Sequence, residues 1–473
     1  MWFSLCNNER QGKKLITLAL NIDGICIFKS ASIHMCPILC LVNESVDQTP
    51  IVCGLYVGPS KPDSVCHFTK KIIEECLQLT AEGIAFENQL FDVQMLNLLC
   101  DAPARAFCKG TKYHGGYDAC DFCRQEGIYL VEEHKVVYPE TTAPLRNDTV
   151  FAQFGEKRHQ QEPSPFVHLL PCVTCIPPEY MHLVLLGTMR RLLYIWVGMH
   201  KGPWRLTASQ KLALSEKNVS LGKCLPSDFT CKSRSLNDLD RWKATELRTF
   251  LLYIGPIALN GFLSKQMFEH FMLLHFSIYV LTCTDWEAYL ECAAACLQCF
   301  VQDIEKVYGA GHLVYNVHIL VHLTHFTSLH GNLDAWSVFP FENHLFALKR
   351  RIRGSGNVMA QAINRIQEME MHHLPTLPKH LHVSSKEKNN VVLVQQGIVM
   401  ISSLSTDNTQ CHGTLMDFVS DIYTSPYPSR QLHIGLYTIS SRQCSGKILC
   451  KCVSFPSNQP HGYYIIPLVQ SFL

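Results

Sequence analysis

The spacing of hydrophobic residues along the chain changes near residue 180. Before that point, short apolar runs bounded by turn residues predict β-strands, and one stretch with helical periodicity, residues 68–80, interrupts them. The predicted strands are residues 15–28, 36–42, 51–57 and 93–100. After that point apolar residues recur at helical spacing, which predicts helices over residues 180–197, 206–214, 242–253, 265–281 and 286–308.

The segments between and beyond these blocks have the composition of connections. Residues 132–165 are polar and contain several prolines, which indicates a loop-rich connector. Gly354 and Gly356 follow a basic stretch and predict its end, before a further helix that ends at about Met371. Past Leu374, a polar linker precedes short β-leaning runs at residues 390–394, 436–439 and 463–468.

The order of the first elements predicts the fold class. Three strands, a helix and a further strand, with an aspartate in the first strand and another after the last, is the order of the ribonuclease-H-like α/β fold. We therefore expect a ribonuclease-H-like catalytic core interrupted by a large all-α insertion, followed by a small β-leaning C-terminal segment. The expected divisions are 1–130 for the first part of the core, 131–310 for the connector and insertion, 311–373 for the helices that complete the core, and 374–473 for the linker and C-terminal segment.

Composition narrows the class of protein. The chain has 473 residues, of which 47% are hydrophobic and 17% are charged, with a net charge of +1. This balance argues against a wholly basic nucleic-acid binder, although one face could still concentrate positive charge. The 23 cysteines are scattered through apolar runs, no signal peptide precedes them, and no apolar run is long enough to span a bilayer. We expect an intracellular, reducing location in which most cysteines are small buried hydrophobes.

Three carboxylates are candidates for a divalent-cation site. Asp23 lies in an otherwise apolar strand, where a lone carboxylate is costly unless it is paired or bound to metal, and Asp101 directly follows a strand. The alternatives are local, because Asp23 could make a turn with Gly24 and Asp101 could cap the next helix. Glu342, in the first turn of a helix begun by Pro340, would complete a cage of oxygen ligands for two Mg²⁺ or Mn²⁺ ions. The alternative for this residue is a glutamate favoured by the helix dipole.

Two cysteines and two histidines have the spacing of zinc ligands. Cys120 and Cys123 are separated by two residues, which lets both sulfurs reach one Zn²⁺. His318 and His322 are one helical turn apart, so both imidazoles point from one face of a helix. The four residues predict a structural zinc site. Three alternatives stay open. The cysteines could be a redox pair, the histidines could be polar positions of an amphipathic helix, and neighbouring histidines could be the ligands instead.

A basic cluster follows the candidate glutamate and consists of Lys349, Arg350, Arg351 and Arg353. Four cations within five residues, two to three helical turns beyond Glu342, predict contacts with DNA phosphates, with a solvated helix face as the alternative. Trp242 lies between two basic residues and could stack on an unpaired base at a cleaved DNA end. A tryptophan that packs between helices is the alternative there.

Several motifs in a fixed order resemble one known family. They are residues 21–24 (NIDG), 100–105 (CDAPAR), 120–123 (CDFC), 178–183 (PEYMHL), 239–246 (LDRWKATE), the helix with His318 and His322, and residues 339–343 (FPFEN). Each motif alone is weak, but in this order they make the chain similar to the animal relatives of the CACTA (En/Spm-like) DDE transposases. The resemblance extends over residues 15–371, three quarters of the chain.

The resemblance implies a transposase with a ribonuclease-H-like core that acts on double-stranded DNA in the nucleus. In such an enzyme Asp23, Asp101 and Glu342 would be the DDE residues, which bind two Mg²⁺ or Mn²⁺ ions for strand cleavage and strand transfer. The helical block between Asp101 and Glu342 would be the insertion domain of these transposases. The predicted zinc site is also similar to the one in the related V(D)J recombinase.

The chain departs from the family's pattern in three places. The family's D-x-x-H motif is here Glu179-x-x-His182, which could still bind a cation or orient a neighbouring group. Asp23 lies close to Met1, so we expect the N-terminal DNA-binding region of a transposase to be absent, and the segment after Pro375 matches none of the family's motifs.

We therefore expect an N-terminally truncated, domesticated transposase relative. The alternative is a catalytically inactive remnant that acts as a DNA- or protein-binding scaffold, and a homo-oligomer stays open in either case. A zinc-dependent hydrolase is disfavoured, because the chain contains no H-E-x-x-H motif.

Overall fold

The computed structural model of the protein describes most of the chain, namely residues 9–10, 13–28, 32–86, 88–200, 202–372 and 382–469. The described residues form a mixed α/β structure. The first part of the predicted linker, residues 374–381, lies outside them. Contacts divide the chain into two compact units: unit 1 is Met1–Leu183 with Leu329–Pro378, and unit 2 is Val184–Ser328 with Lys379–Leu473.

Strands occupy the start and the end of the described chain. In order they are β1 (Glu9–Arg10), β2 (Lys13–Ile22), β3 (Ile25–Phe28), β4 (Ile33–Val42), β5 (Ile51–Gly58), β6 (Ile84–Phe86), β7 (Gln89–Leu99), β8 (Ile128–Leu130), β9 (Lys135–Val137), β10 (Val391–Val394), β11 (Gly397–Leu404), β12 (Gln410–Ser420), β13 (Gly435–Lys447), β14 (Cys450–Pro456) and β15 (Gly462–Pro467).

Helices fill the middle of the chain, as the apolar spacing predicts. The α-helices are α1 (Val65–Glu82), α2 (Ala102–Lys109), α3 (Asp148–Ala152), α4 (Arg190–Val197), α5 (Ala208–Gly222), α6 (Ala244–Thr249), α7 (Gly255–Ala258), α8 (Lys265–Thr282), α9 (Leu290–Tyr308), α10 (Tyr315–Ile319), α11 (Leu323–His330), α12 (Phe339–Arg351) and α13 (Val358–Met371). Met181–Met189 and Phe250–Ile254 are π-helical, and short 3-10 turns are Pro165–His168, Leu236–Arg241, Trp286–Tyr289, Ala310–His312, Leu320–His322 and Ser429–Leu432.

The main sheet of unit 1 contains one long strand that is interrupted at a single point. β2 pairs antiparallel with β4 up to Ile22 opposite Ile38, and β3 continues the same register with Ile25 opposite Met35. The interruption is therefore the two residues between β2 and β3. β5 pairs with the opposite edge of β4, and α1 then leads to β7, which pairs parallel with β2.

The parallel pair β2–β7 decides where the two aspartates lie. Asn21 pairs with Leu99, and the buried side-chain amide of Asn21 donates a hydrogen bond of 2.8 Å to the carbonyl of Leu99. Asp23 lies two residues after Asn21, and Asp101 lies two residues after Leu99. Because parallel strands end at the same edge of a sheet, both aspartates lie at that edge.

Two apolar layers hold the helices of unit 1 in place. One contains alternate residues of β2, such as Leu18 and Leu20, packed with Ile72 and Cys76 of α1. In the second, apolar residues of α12 and α13 pack with strand residues that include the fully buried Met35. Full burial of one such side chain contributes about 1.5–3 kcal/mol. This second layer holds α12 on the sheet, and α12 carries Glu342.

Unit 2 combines helices with a closed barrel, β10-β11-β12-β13-β15-β14. The β-leaning runs predict β10 and β15 and part of β13, but not β11, β12 and β14, where polar and small residues interrupt the apolar positions. The buried Lys451 of β14 bonds to Asp228 and Asn389, and Tyr279 of α8 donates to the carbonyl of Pro467 at 2.8 Å. No helix in the described residues is both long and apolar enough to cross a membrane.

Candidate metal centres

Asp23 and Asp101 both make the local interactions that the sequence leaves open. Asp23 Oδ1 accepts the N–H of Gly24 at 2.6 Å, which stabilises the break between β2 and β3. Asp101 is the N-cap of α2, and its Oδ1 accepts the N–H of Ala104 at 2.8 Å. Both bonds engage Oδ1, so the turn and the cap do not preclude a metal role for either carboxylate.

The charges of the three expected carboxylates act on one another. Burial, together with the negative charges of Asp101 and Glu342, raises the pKa of Asp23 from 3.8 to about 7, against the lowering effect of Gly24 N–H and His182. The structure therefore brings the three predicted residues into one electrostatic group.

Glu179 anchors the helix that carries Glu342. Its side chain is 1% exposed, and it accepts the N–H groups of Met181 (2.6 Å), His182 (2.7 Å) and Val338 (3.4 Å). The carbonyl of Val338 in turn accepts the N–H of Glu342 at 2.9 Å. One buried carboxylate thus fixes the start of the helix at Met181–Met189 and the first turn of α12 together.

His182 lies between Glu179 and Glu342. Its Nδ1 is 2.8 Å from Glu179 Oε2, and its Nε2 is 3.8 Å from Glu342 Oε1. Burial opposes the charged ring, but the hydrogen bond and charge of Glu179, with the charges of Glu342 and Asp101, raise the pKa of His182 to about 9. Both ring nitrogens of His182 face carboxylates, so this geometry favours an orienting role over cation binding.

The cysteines of the C-x-x-C motif are buried and close together. Cys120 and Cys123 are 0% and 1% exposed, and their Sγ atoms are 3.5 Å apart. Two Zn–S bonds at a tetrahedral centre would separate the sulfurs by about 3.7 Å, so the pair fits one zinc ion. The side-chain hydrogen bond between Cys123 and Cys120 lowers the pKa of Cys123, as do Gln125 N–H and Arg146.

The two predicted histidine ligands lie on successive short turns. His318 belongs to α10 and His322 to the following 3-10 turn, and their ring centroids are 5.4 Å apart. Both imidazoles are buried in unit 2, and both thiols are buried in unit 1. Two thiols and two imidazoles are the donor set of a structural zinc site, so zinc binding by these four residues stays a prediction.

Asp121, between the two cysteines, ties their loop to α2. Its side chain is 3% exposed and lies 3.0 Å from Arg105 Nε and 3.5 Å from Lys109 Nζ, both on α2. His159 Nε2 is 3.8 Å from the same carboxylate. This buried group links the C-x-x-C loop to the helix that Asp101 caps. Asp121 is not among the site residues predicted from the sequence, although an aspartate inside a C-x-x-C motif is a visible signal.

The basic cluster after Glu342 divides into one internal and three surface side chains. Lys349 donates a hydrogen bond of 2.7 Å to the carbonyl of Cys26, so it joins α12 to β3. Arg350, Arg351 and Arg353 are exposed. The arginines are therefore the members of the cluster that present charge to solvent.

Trp242 is packed inside the protein. It is 2% exposed, and its ring N–H donates to the carbonyl of Ser235 at 3.1 Å. Its ring also contacts Phe250, with centroids 5.8 Å apart. A ring buried in this way presents no face to a nucleobase, so the structure favours the packing alternative and we leave Trp242 out of the candidate DNA contacts.

No model of a known protein family matches the chain, and no curated protein matches it either.

Neutralising Asp23 should stabilise the protein at high pH when no Mg²⁺ or Mn²⁺ is present. Because the fold raises this pKa from 3.8 to about 7, the stability associated with the protonated group is complete below pH 3.8 and is lost as pH rises through about 7. Asp23→Asn should therefore match the wild type near pH 4 and exceed it at pH 8 by up to about 4 kcal/mol. Urea unfolding with one equivalent of zinc and no other divalent cation measures this difference. Asp63→Asn, at an exposed carboxylate, is the control, and an equal gain from it would contradict the prediction.

Removing one thiol should abolish tight zinc binding. We expect the wild type to hold one zinc ion per chain and Cys123→Ser to lose it, because structural sites require all four ligands. Metal analysis of the purified protein, and the thiolate-to-metal absorption of the Co²⁺ form, provide the measurement. Cys66→Ser, at an exposed cysteine of α1, should keep both signals. Full zinc retention by Cys123→Ser would exclude this set of ligands.

Replacing His182 should weaken divalent-cation binding without unfolding unit 1. We expect His182→Gln to lower the affinity for Mn²⁺ by about 10–100-fold, the range for partners that orient metal ligands. Calorimetric titration of Mn²⁺ measures the affinity, and circular dichroism checks the fold. His67→Gln, at an exposed position of α1, is the matched control. Unchanged Mn²⁺ affinity in His182→Gln would rule out the orienting role.

Proposed function

We propose that unit 1 is a ribonuclease-H-like domain that cleaves and transfers DNA strands, derived from a DDE transposase. The observation that supports this most strongly is the group of Asp23, Asp101 and Glu342, in which burial and then the charges of the other two carboxylates raise the pKa of Asp23. Such repulsion is costly in a structural site and useful in one that binds cations. The sequence resemblance to CACTA-like transposases supplies the substrate class, double-stranded DNA, and the nucleus as the place of action.

The three carboxylates would hold two divalent cations, Mg²⁺ or Mn²⁺. When bound, these ions would activate the attacking water or 3′-hydroxyl and stabilise the leaving oxygen of a phosphodiester. Asp23 and Asp101 supply ligands from the ends of two adjacent strands, and Glu342 supplies one from α12. Glu179 and His182 position the Glu342 carboxylate, the first by anchoring the N–H of Val338 and the second by its contact of 3.8 Å with Glu342 Oε1.

DNA would approach along the exposed end of α12. Arg350, Arg351 and Arg353 are exposed there, and guanidinium groups contact phosphate oxygens in a bidentate manner. These contacts carry no base specificity, so they would position a duplex without selecting its sequence. The loop with Cys120 and Cys123 would have a structural role, because Asp121 joins this loop to the helix that Asp101 caps.

The proposed activity predicts metal-dependent nicking that depends on the carboxylates. Wild-type protein should convert supercoiled plasmid to the nicked form with Mn²⁺, and Asp101→Asn and Glu342→Gln should reduce the rate more than about 100-fold, the upper end for merely orienting partners. Asparagine is chosen at position 101 because it keeps the N-cap of α2. Glu370→Gln, on the exposed face of α13, is the matched control and should nick normally.

Two outcomes would contradict this proposal. Nicking that survives in both Asp101→Asn and Glu342→Gln would come from another site or from a contaminant. DNA binding by the wild type without any nicking would favour the inactive scaffold.

A further inference from the structure

A cavity of about 220 Å³ opens beside Asp23 in unit 1. It starts at the break between β2 and β3 and extends to the first turns of α1 and α2, so one of the proposed metal ligands forms part of its wall. The roles proposed above for the carboxylates do not use this space.

The wall of the cavity has the chemistry of a nucleotide site. Three aromatic side chains line it, Phe68, Phe107 and Tyr113, together with two proline rings. Aromatic faces of this kind stack on nucleobases without regard to sequence. Lys61 also lines the cavity and is exposed, so its ammonium group is available to a phosphate. Tyr113 is 55% exposed, so its ring can move onto a bound base.

Gly24 allows Lys61 to reach this position. A Cβ at residue 24 would lie 3.2 Å from Lys61 Cε and 2.8 Å from Cys36 Sγ, closer than carbon and sulfur atoms approach without displacement. The side chain of Lys61 therefore packs over bare backbone next to Asp23. This places one positive charge beside Asp23, where it would contact a phosphate whose other oxygens bind the metal ions held by the carboxylates.

The aromatic walls decide what can bind in this cavity of about 220 Å³. A base inside a duplex stacks on its neighbours and has no free face for a protein ring. The base that stacks here must therefore be unpaired, as it is at a nick or a frayed end.

We propose that this cavity binds the unpaired nucleotide next to the cleaved phosphodiester, with its base stacked on Tyr113 and Phe107 and its phosphate on Lys61. The inference rests on the proposed function, because the carboxylates would hold the scissile phosphate next to the cavity. The site would retain the cleaved end between strand cleavage and strand transfer. It would also make the protein prefer nicked or frayed DNA to intact duplex.

The test uses the full chain and two nicked duplexes. One duplex carries 2-aminopurine on the 5′ side of the nick, and the other carries it on the 3′ side. With Ca²⁺ as the cation, wild-type protein should change the 2-aminopurine fluorescence of one nicked substrate and not that of the intact duplex. Tyr113→Ala should abolish this change, and Tyr113→Ala and Lys61→Ala should each weaken binding of the nicked duplex by roughly 5-fold or more, the lower end for one stacked base. Tyr113 and Lys61 are both exposed, so these variants should fold.

Matched controls separate the cavity from general surface effects. Tyr117→Ala removes a tyrosine that is 50% exposed and does not line the cavity, and Lys70→Ala removes an exposed lysine of α1; both should behave as wild type. If Tyr113→Ala and Lys61→Ala bind the nicked duplex and change its fluorescence as the wild type does, and plasmid nicking persists, this inference is overturned. The proposed function would then still stand. Failure of the wild type both to nick plasmid and to bind nicked DNA would overturn the proposed function and this inference together.

Discussion

The parallel pairing of β2 with β7 is the constraint on which the candidate catalytic site depends. The register sets Asn21 opposite Leu99, and the buried amide of Asn21 bonds to the carbonyl of Leu99, so neither strand can slip without leaving a polar group unsatisfied. Asp23 and Asp101 follow at equal distances from that pair. Two carboxylates separated by 77 intervening residues therefore end at one edge of the sheet.

Like charges at that edge must be held there by other interactions. Asp23 and Asp101 are fixed by short hydrogen bonds to backbone N–H groups, and Glu342 is fixed through the start of α12. Glu179 is central to this arrangement, because its buried carboxylate accepts three backbone N–H groups from two helices. His182 then supplies positive charge between Glu179 and Glu342. Glu179 thus serves as a structural acceptor of backbone hydrogen bonds.

Local sequence signals predict most elements of unit 1 and the helices of unit 2, because both depend on apolar spacing within a short window. The helix expected over residues 180–197 is present, but its first half is π-helical, a distinction that periodicity does not carry. The barrel strands β11, β12 and β14 were not predicted, since their residues alternate weakly and are stabilised by pairing with distant strands. Trp242 shows the same limit: its basic neighbours in sequence suggested a surface role, and its packing excludes one.

Residue types and their spacing were enough to recognise the groups that could carry chemistry: three carboxylates, a C-x-x-C motif, two histidines one turn apart and a run of arginines. Which of these groups act together depends on how the chain folds. The tertiary structure coupled Asp23 electrostatically to Asp101 and Glu342, gave His182 an orienting position, turned Lys349 inwards, and surrounded Asp121 with cations. The physical reason is that burial, charge coupling and hydrogen-bond geometry arise between residues far apart in the chain, whereas spacing describes only neighbours.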